Sequence, residues 1–425
     1  MTTLPSRRTR GHGAATRPPL VARTVRARGD VDLLSVAGDD GVVLARGPHG
    51  LAGRGVALRM PLAVGPGRLA AAAETVAEAL SAIEREDEVG VPGSGPVAFA
   101  ALPFAESTPG SVLVPSLVVG RADDGTGWIT TVAPPGTPAP PLIAPDRDMT
   151  VGPTSYRITT SRSPTEWCAS VGAAVAAIRS GCPTKVVLAR EVVVQADAPL
   201  ERAAILRRLA AAAPASMLYA VDGLVGCSPE LLVSRRGDIV RSHPMAGTAA
   251  RTGDPSVDAS LAAGLLASGK DRREHQITID MVLDTVLPFC SYVDSEPEPS
   301  IVAAGNVQHL ASLVEGRLSS PPASVLALAA ALHPTPAVCG WPRADALALI
   351  DELEGGDRGR YAGAVGWVDA DGNGTFAVAL RGIELAGSEG RLWAGSGIVT
   401  DSDPATELAE TRAKLQGVLS AVVRP

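Results

Sequence analysis

The chain has 425 residues, 46% hydrophobic and 20% charged, enough for one large or two medium domains with a sizeable core. Its net charge of −7 argues against a nucleic-acid-binding body, and no stretch reaches the roughly 18 uninterrupted apolar residues of a membrane span. Five cysteines (Cys168, Cys182, Cys227, Cys290 and Cys339) lack metal-ligand spacing, and without a secretory apolar segment they fit reduced thiols in a cytoplasmic protein.

In chain order, residues 1–29 carry seven arginines and no acidic residue and read as a disordered basic tail. Strands with turns are expected over 31–62, a helix near 68–86, and a hairpin turning at Asp123–Thr126. The six prolines of 134–149 mark a linker, either between domains or over the surface of one. Beyond it come a helix at 164–180, a strand TKVVLAREVVV and a helix at 198–213. Short strands turn at Arg236–Asp238, a helix spans 256–287, a hairpin turns at Asp369–Gly374, and RLWAGSGIV forms a strand. Hairpins separated by helices indicate an α+β protein with mainly antiparallel sheets.

The last segment, SDPATELAETRAKL, opens a helix with Asp403 as N-cap and Pro404 at the first helical position. Spacings of three and four put Glu407, Glu410 and Lys414 on one stripe. A second acidic pair, Asp271 and Glu274, shares a face of the helix in KDRREHQITID. The spacing leaves two outcomes open. Both helices could expose their acids to solvent. If they face each other instead, the converging carboxylates need a cation, and oxygen-only donors select a hard ion such as Mg²⁺.

Seven segments in fixed order carry a family resemblance: SPELLVSRRGDIVRSHPMAGT, KDRREH, VQHLASLVEG, LHPTPAVCGWP, YAGAVGWVDADGNG, VALRGIEL and AGSGIVTDSDPATELAETRAKL. The chain resembles the chorismate-utilising enzymes, strongly over 155–425 and weakly through GPVAFAALPF. The resemblance implies a single α+β catalytic domain over 30–425, with two packed, mainly antiparallel sheets and helices outside. It implies chorismate as substrate and Mg²⁺ as cofactor, with Glu274 and Glu410 as direct ligands and Asp271 and Glu407 behind them through water. A site built only of acids would repel the dianionic substrate, and the ion inverts that local sign. The resemblance also places Ala246, Gly247, Thr248, His309, Tyr361, Arg381, Gly395, Gly397 and Lys414 around the substrate, with Arg381 on the enolpyruvyl carboxylate.

By the same resemblance, Lys185 and Glu230 are the catalytic pair. Lys185 stands where ammonia-using members carry glutamine, and a lysine among apolar walls and other cations can serve as a base toward water. Glu230, after Pro229, takes the general-acid position. Ala246 stands where members forming a covalent adduct have lysine, and the anthranilate-type RNDLGR is replaced by MVLDTVLPFC. These features point to the isochorismate-forming branch, with salicylate formation by later pyruvate elimination as the alternative. Isochorismate feeds siderophore, menaquinone or salicylate-derived pathways. A monomer with no obligatory glutamine amidotransferase subunit is expected. His243 and His275 read as structural, while Cys339, in place of the family's usual glycine, is expected to narrow the loop beside the substrate together with Trp341.

Overall fold

Alternation along each strand builds the core. In Val42–Arg46, Val42 and Leu44 face one way and Val43 and Ala45 the other, and all four are buried. Met217–Val221 repeats the pattern: Met217, Tyr219 and Val221 join the first group, Leu218 and Ala220 the second. The first group meets Val97, Phe99 and Ala101 of a different sheet, so two sheets pack face to face. Among the described residues, one sheet has 13 strands, with Lys185–Ala196, Glu389–Ile398, Gly382–Ala386, Leu224–Ser228 and Met217–Val221 adjacent in that order. The other has nine strands, and a three-stranded sheet of Met245–Ala250, Val307–Ala311 and Ser300–Ala304 stands apart. Helices cover the outer faces, among them Arg202–Ala212 and Pro404–Val422 on the large sheet and Val325–Leu332 on the second.

This computed structural model describes residues 19–138, 140–142 and 152–423. Parts of the expected linker, residues 139 and 143–149, lie outside them, as do residues 1–18 of the expected tail. Strands from before and after the linker share both large sheets, each set forming one block that meets the other at a single seam: Val42–Arg46 pairs with Met217–Val221, and Val97–Ala101 with Ala364–Asp369. The linker therefore joins parts of one α+β domain.

Four expectations are corrected. Within 31–62, expected to be strands with turns, Leu33–Ala37 forms a short helix capped by Asp32. Residues 21–26, assigned to the tail, form a strand antiparallel to Gly127–Ala133 and parallel to Glu84–Asp87. The helix expected to reach 86 stops at Ser81, because Glu84–Asp87 is that parallel partner and Arg23 Nε sits 2.8 Å from Glu86 Oε2. The helix expected over 256–287 is two, Pro255–Ala267 and Gly269–Val286. Ser268 between them has extended backbone, and its hydroxyl accepts the Asp271 N–H at 3.2 Å, an N-cap that restarts the helix.

Phe99, Trp128, Tyr219 and Trp367 lie where the sheets meet. The indole of Trp128 lies over Gly120, where any Cβ would stand 2.1 Å from the ring, and donates to the Gly93 carbonyl at 2.9 Å. Tyr219 lies over Gly226 and Gly382 in the same way. Its hydroxyl donates to the Leu380 carbonyl at 2.8 Å, which fixes the turn that carries Arg381.

Candidate active site

The N-cap Asp403 accepts the Thr406 N–H at 2.8 Å and Pro404 opens the helix, as the sequence indicates. Leu415, Val418, Ala421 and Val422 of this helix pack into the apolar layer beneath the large sheet. That contact turns the Glu407–Glu410–Lys414 stripe toward strand Glu389–Ile398. Helix Gly269–Val286 is anchored by Ile279, Met281, Val282 and Val286, and it presents Asp271 and Glu274 to the same space. Both acidic pairs therefore line one cavity of about 300 Å³ instead of facing solvent. Glu230, Ala246, Gly247, Thr248, His309, Tyr361, Arg381, Gly395, Gly397 and Lys414 line it too.

Lys185 is the expected site residue that does not form the cavity surface. It is 2% exposed and lies behind Glu274, with Nζ 2.7 Å from Glu274 Oε1. Gly397 permits this approach, since a Cβ there would stand 3.0 Å from Glu274 Oε1 and 3.2 Å from Lys185 Cε. Gly247 has φ of 73° and sits against Asp271, a conformation and a closeness that suit glycine.

Glu230 is 3% exposed, and among the described residues its Oε1 has no hydrogen-bond partner. Burial outweighs the Met245 N–H and the positive charges of Lys185 and Lys414, pushing its carboxyl up to about 8. It is mostly protonated at neutral pH. Burial likewise raises Glu407 against its hydrogen bonds from Ser396 and Ser402. Burial acts on Glu410 in the same sense, but the Lys414 ammonium at 2.5 Å and the Ser396 hydroxyl at 3.0 Å together hold it below its usual range.

Burial, with Lys414 and Arg381 nearby, lowers His309 to about 3, so its ring is neutral. Its Nδ1 is 3.0 Å from the Gly247 carbonyl, which can only accept, so the proton sits on Nδ1 and Nε2 is an acceptor. Arg381, at φ of 53°, donates to the Lys414 carbonyl at 3.0 Å. Tyr361 stacks on Trp393 with ring centroids 6.4 Å apart.

Sequence reasoning missed several participants. Ser396 bridges Glu407 and Glu410; it was visible only as the middle of AGSG. Val187 and Val338 form wall, and the buried Arg358 ties both by donating to their carbonyls at 2.7 and 2.8 Å. Lys270 and Trp393 also line the cavity. Cys339 is corrected: it is wholly buried in the core and not a lining residue, because Ala337 and Val338 turn to the cavity in its place. Trp341 is 39% exposed and also lies off the cavity. His275 is buried beside Ser312, with Nε2 2.9 Å from its hydroxyl.

Oxygen is the only donor type among Asp271, Glu274, Glu407 and Glu410, a set whose chemistry fits a hard cation. Glu274 and Glu410 are each tied to a lysine, and among the described residues no three acidic, histidine or cysteine side chains stand close enough to form a metal centre.

A family model described as chorismate binding enzyme matches residues 144–423. The chain belongs to the chorismate-binding enzymes. This family member is 40% identical over 343 residues to a Mycobacterium tuberculosis protein provisionally named isochorismate synthase MenF, covering 78% of this chain and 87% of the relative. It is 39% identical over 279 residues to isochorismate synthase DhbC of Bacillus subtilis, covering 63% and 70%. A crystal structure from Bacillus anthracis, provisionally assigned as the 2,3-dihydroxybenzoate-specific isochorismate synthase DhbC, superposes with a TM-score of 0.77 at 29% identity. That match covers 92% of this chain and 98% of the other. Among the described residues no helix of this chorismate-binding enzyme is long and apolar enough to cross a membrane.

Proposed function

We propose that this enzyme converts chorismate to isochorismate in a Mg²⁺-dependent reaction, as a monomer in the cytoplasm without an amidotransferase subunit. The observation that carries the reading is the Glu230 carboxyl, buried and protonated, in the field of the buried amine Lys185. Lys185, an ammonium paired with Glu274 in the resting site, first releases its proton to solvent, and the free amine takes a proton from water as the water oxygen bonds to C2. Both ring double bonds shift, the C4–O bond breaks, and Glu230 donates its proton to the departing hydroxyl, releasing water. In the reverse direction the two residues exchange roles. Arg381 and Lys414 hold substrate carboxylates. His309 Nε2, being unprotonated, is available to a substrate hydroxyl.

Charge balance supports the metal. With Glu230 neutral, the four acids Asp271, Glu274, Glu407 and Glu410 are offset by four cations, Lys185, Lys270, Arg381 and Lys414. A dianionic substrate adds two negative charges, which a divalent cation offsets. Glu274 and Glu410 would hold the ion, with Asp271 and Glu407 through water. When bound, the ion withdraws charge from the ring carboxylate.

Product analysis tests the reading. Incubation with chorismate and Mg²⁺, with and without ammonium, is expected to give isochorismate at a constant ratio to chorismate. Salicylate plus pyruvate as main products, or an ammonium-dependent aromatic amine, would overturn it. Glu410→Gln is expected to raise the Mg²⁺ concentration for half-maximal rate at least about tenfold, a typical cost of losing a charged ligand bond. An unchanged Mg²⁺ titration would remove Glu410 from the ligand set.

A further inference from the structure

The four cations of the cavity are not equivalent. Lys185 is buried and paired with Glu274, Lys414 is held by Glu410 and the Gly395 carbonyl, and Arg381 is bound to the Lys414 carbonyl. Each is fixed before any substrate arrives. Lys270 differs. It lines the cavity yet is solvent-exposed, and among the described residues no hydrogen bond or ion pair fixes its ammonium. It sits in the first turn of helix Gly269–Val286, one residue before Asp271. Its charge is felt at the buried Glu407 on the opposite helix. Lys270 is thus an exposed cation on the cavity wall beside Asp271, with its charge reaching Glu407 on the other acidic helix.

We infer that Lys270 is the substrate-capture residue of this cavity: the exposed cation that draws a dicarboxylate into the acid-lined cavity and contacts a carboxylate on entry. The inference rests on the proposed function for its substrate class. An exposed ammonium on a four-carbon stem can follow an incoming carboxylate, whereas the fixed inner cations cannot. At a charged cleft, one such group acts chiefly on association, and its effect weakens as salt screens it. Lys270 is a binding residue here, with no part in the proton transfers.

The test is the steady-state rate of Lys270→Ala with chorismate and saturating Mg²⁺ across ionic strengths from about 0.01 to 0.3 M, where the Debye length shrinks from roughly 30 Å to under 10 Å. Expected results are a kcat/KM loss of about three- to tenfold at low salt, little loss at high salt and kcat within about twofold of wild type. Lys270→Arg should restore the wild-type salt slope. A purely structural lysine would not change that slope. Arg272 lies two residues on, is exposed, is paired with Glu298 and does not line the cavity. An equal change in Arg272→Ala would overturn the assignment, reducing it to net charge, as would an unchanged salt slope or a loss confined to kcat in Lys270→Ala. Failure here is separable from failure of the proposed function, which would appear as absence of isochorismate from the wild-type enzyme.

Discussion

Lys185→Ala is expected to lower kcat for isochorismate formation by about 10²–10⁴-fold, the range spanned by general-base contributions. The loss should appear equally in the reverse direction, since one residue serves both. A confounding effect is foreseeable. Lys185 is 2% exposed and pairs at 2.7 Å with Glu274, so its removal strands a carboxylate that is itself only 16% exposed. Breaking one side of a buried pair costs about 3–5 kcal/mol, enough to disturb folding. Lys185→Gln separates the two effects, because it keeps a polar chain of similar length without a basic nitrogen. It is expected to melt closer to wild type than the alanine variant and to be as inactive. Turnover within about tenfold of wild type in a folded Lys185→Gln protein would exclude the lysine as the base.

Glu230→Gln should lose kcat over a similar range of about 10²–10⁴-fold, since the amide cannot protonate a leaving hydroxyl. It also carries a signature in stability. The folded carboxyl is raised from 4.5 to about 8. Its protonated form is favoured by folding, so its contribution is fully present below about pH 4.5 and is lost as pH rises through about 8. Wild-type protein should therefore lose stability relative to Glu230→Gln across that window, by on the order of a few kcal/mol. Denaturant unfolding of both proteins near pH 5 and near pH 8 measures this directly. Parallel changes in the two would mean that the carboxyl is not held protonated by the fold.

The parts of this site that lie within one helix were legible in the sequence. Spacings of three and four determine that Asp271 and Glu274, or Glu407, Glu410 and Lys414, share a stripe, and the Asp403–Pro404 start determines where the second helix begins. Hairpins with local turns, such as Asp369–Gly374, were legible for the same reason. What the spacing left open was whether the two stripes meet. That depends on the apolar anchors Ile279 and Val282 on one helix and Leu415 and Val418 on the other, each finding a distant layer. The pairing of Val21–Arg26 with Glu84–Asp87 was hidden because the first segment sits in an arginine-rich stretch and the second is wholly charged; only together do Arg23 and Glu86 match. The clamp of Arg358 on Val187 and Val338 joins three separate stretches of chain, and no local pattern announces it.

Strand Glu389–Ile398 puts alternate residues to use on its two faces. Gly395 and Gly397 open one face to Tyr361 and Lys185, and Ser396 between them reaches Glu407 and Glu410 on the other. Its pairing with Lys185–Ala196 is unbroken over ten residue pairs, from Val186–Ile398 to Gln195–Glu389. Because side chains alternate with a period of two, a single inserted or deleted residue in either strand would swap the faces. A hydroxymethyl group would then stand where Lys185 needs space, and hydrogen where the carboxylates need a donor. Point substitutions can drift along these strands one at a time, but changes in their length cannot. Insertions and deletions in descendants of this sequence are thus confined to the connections outside the pair.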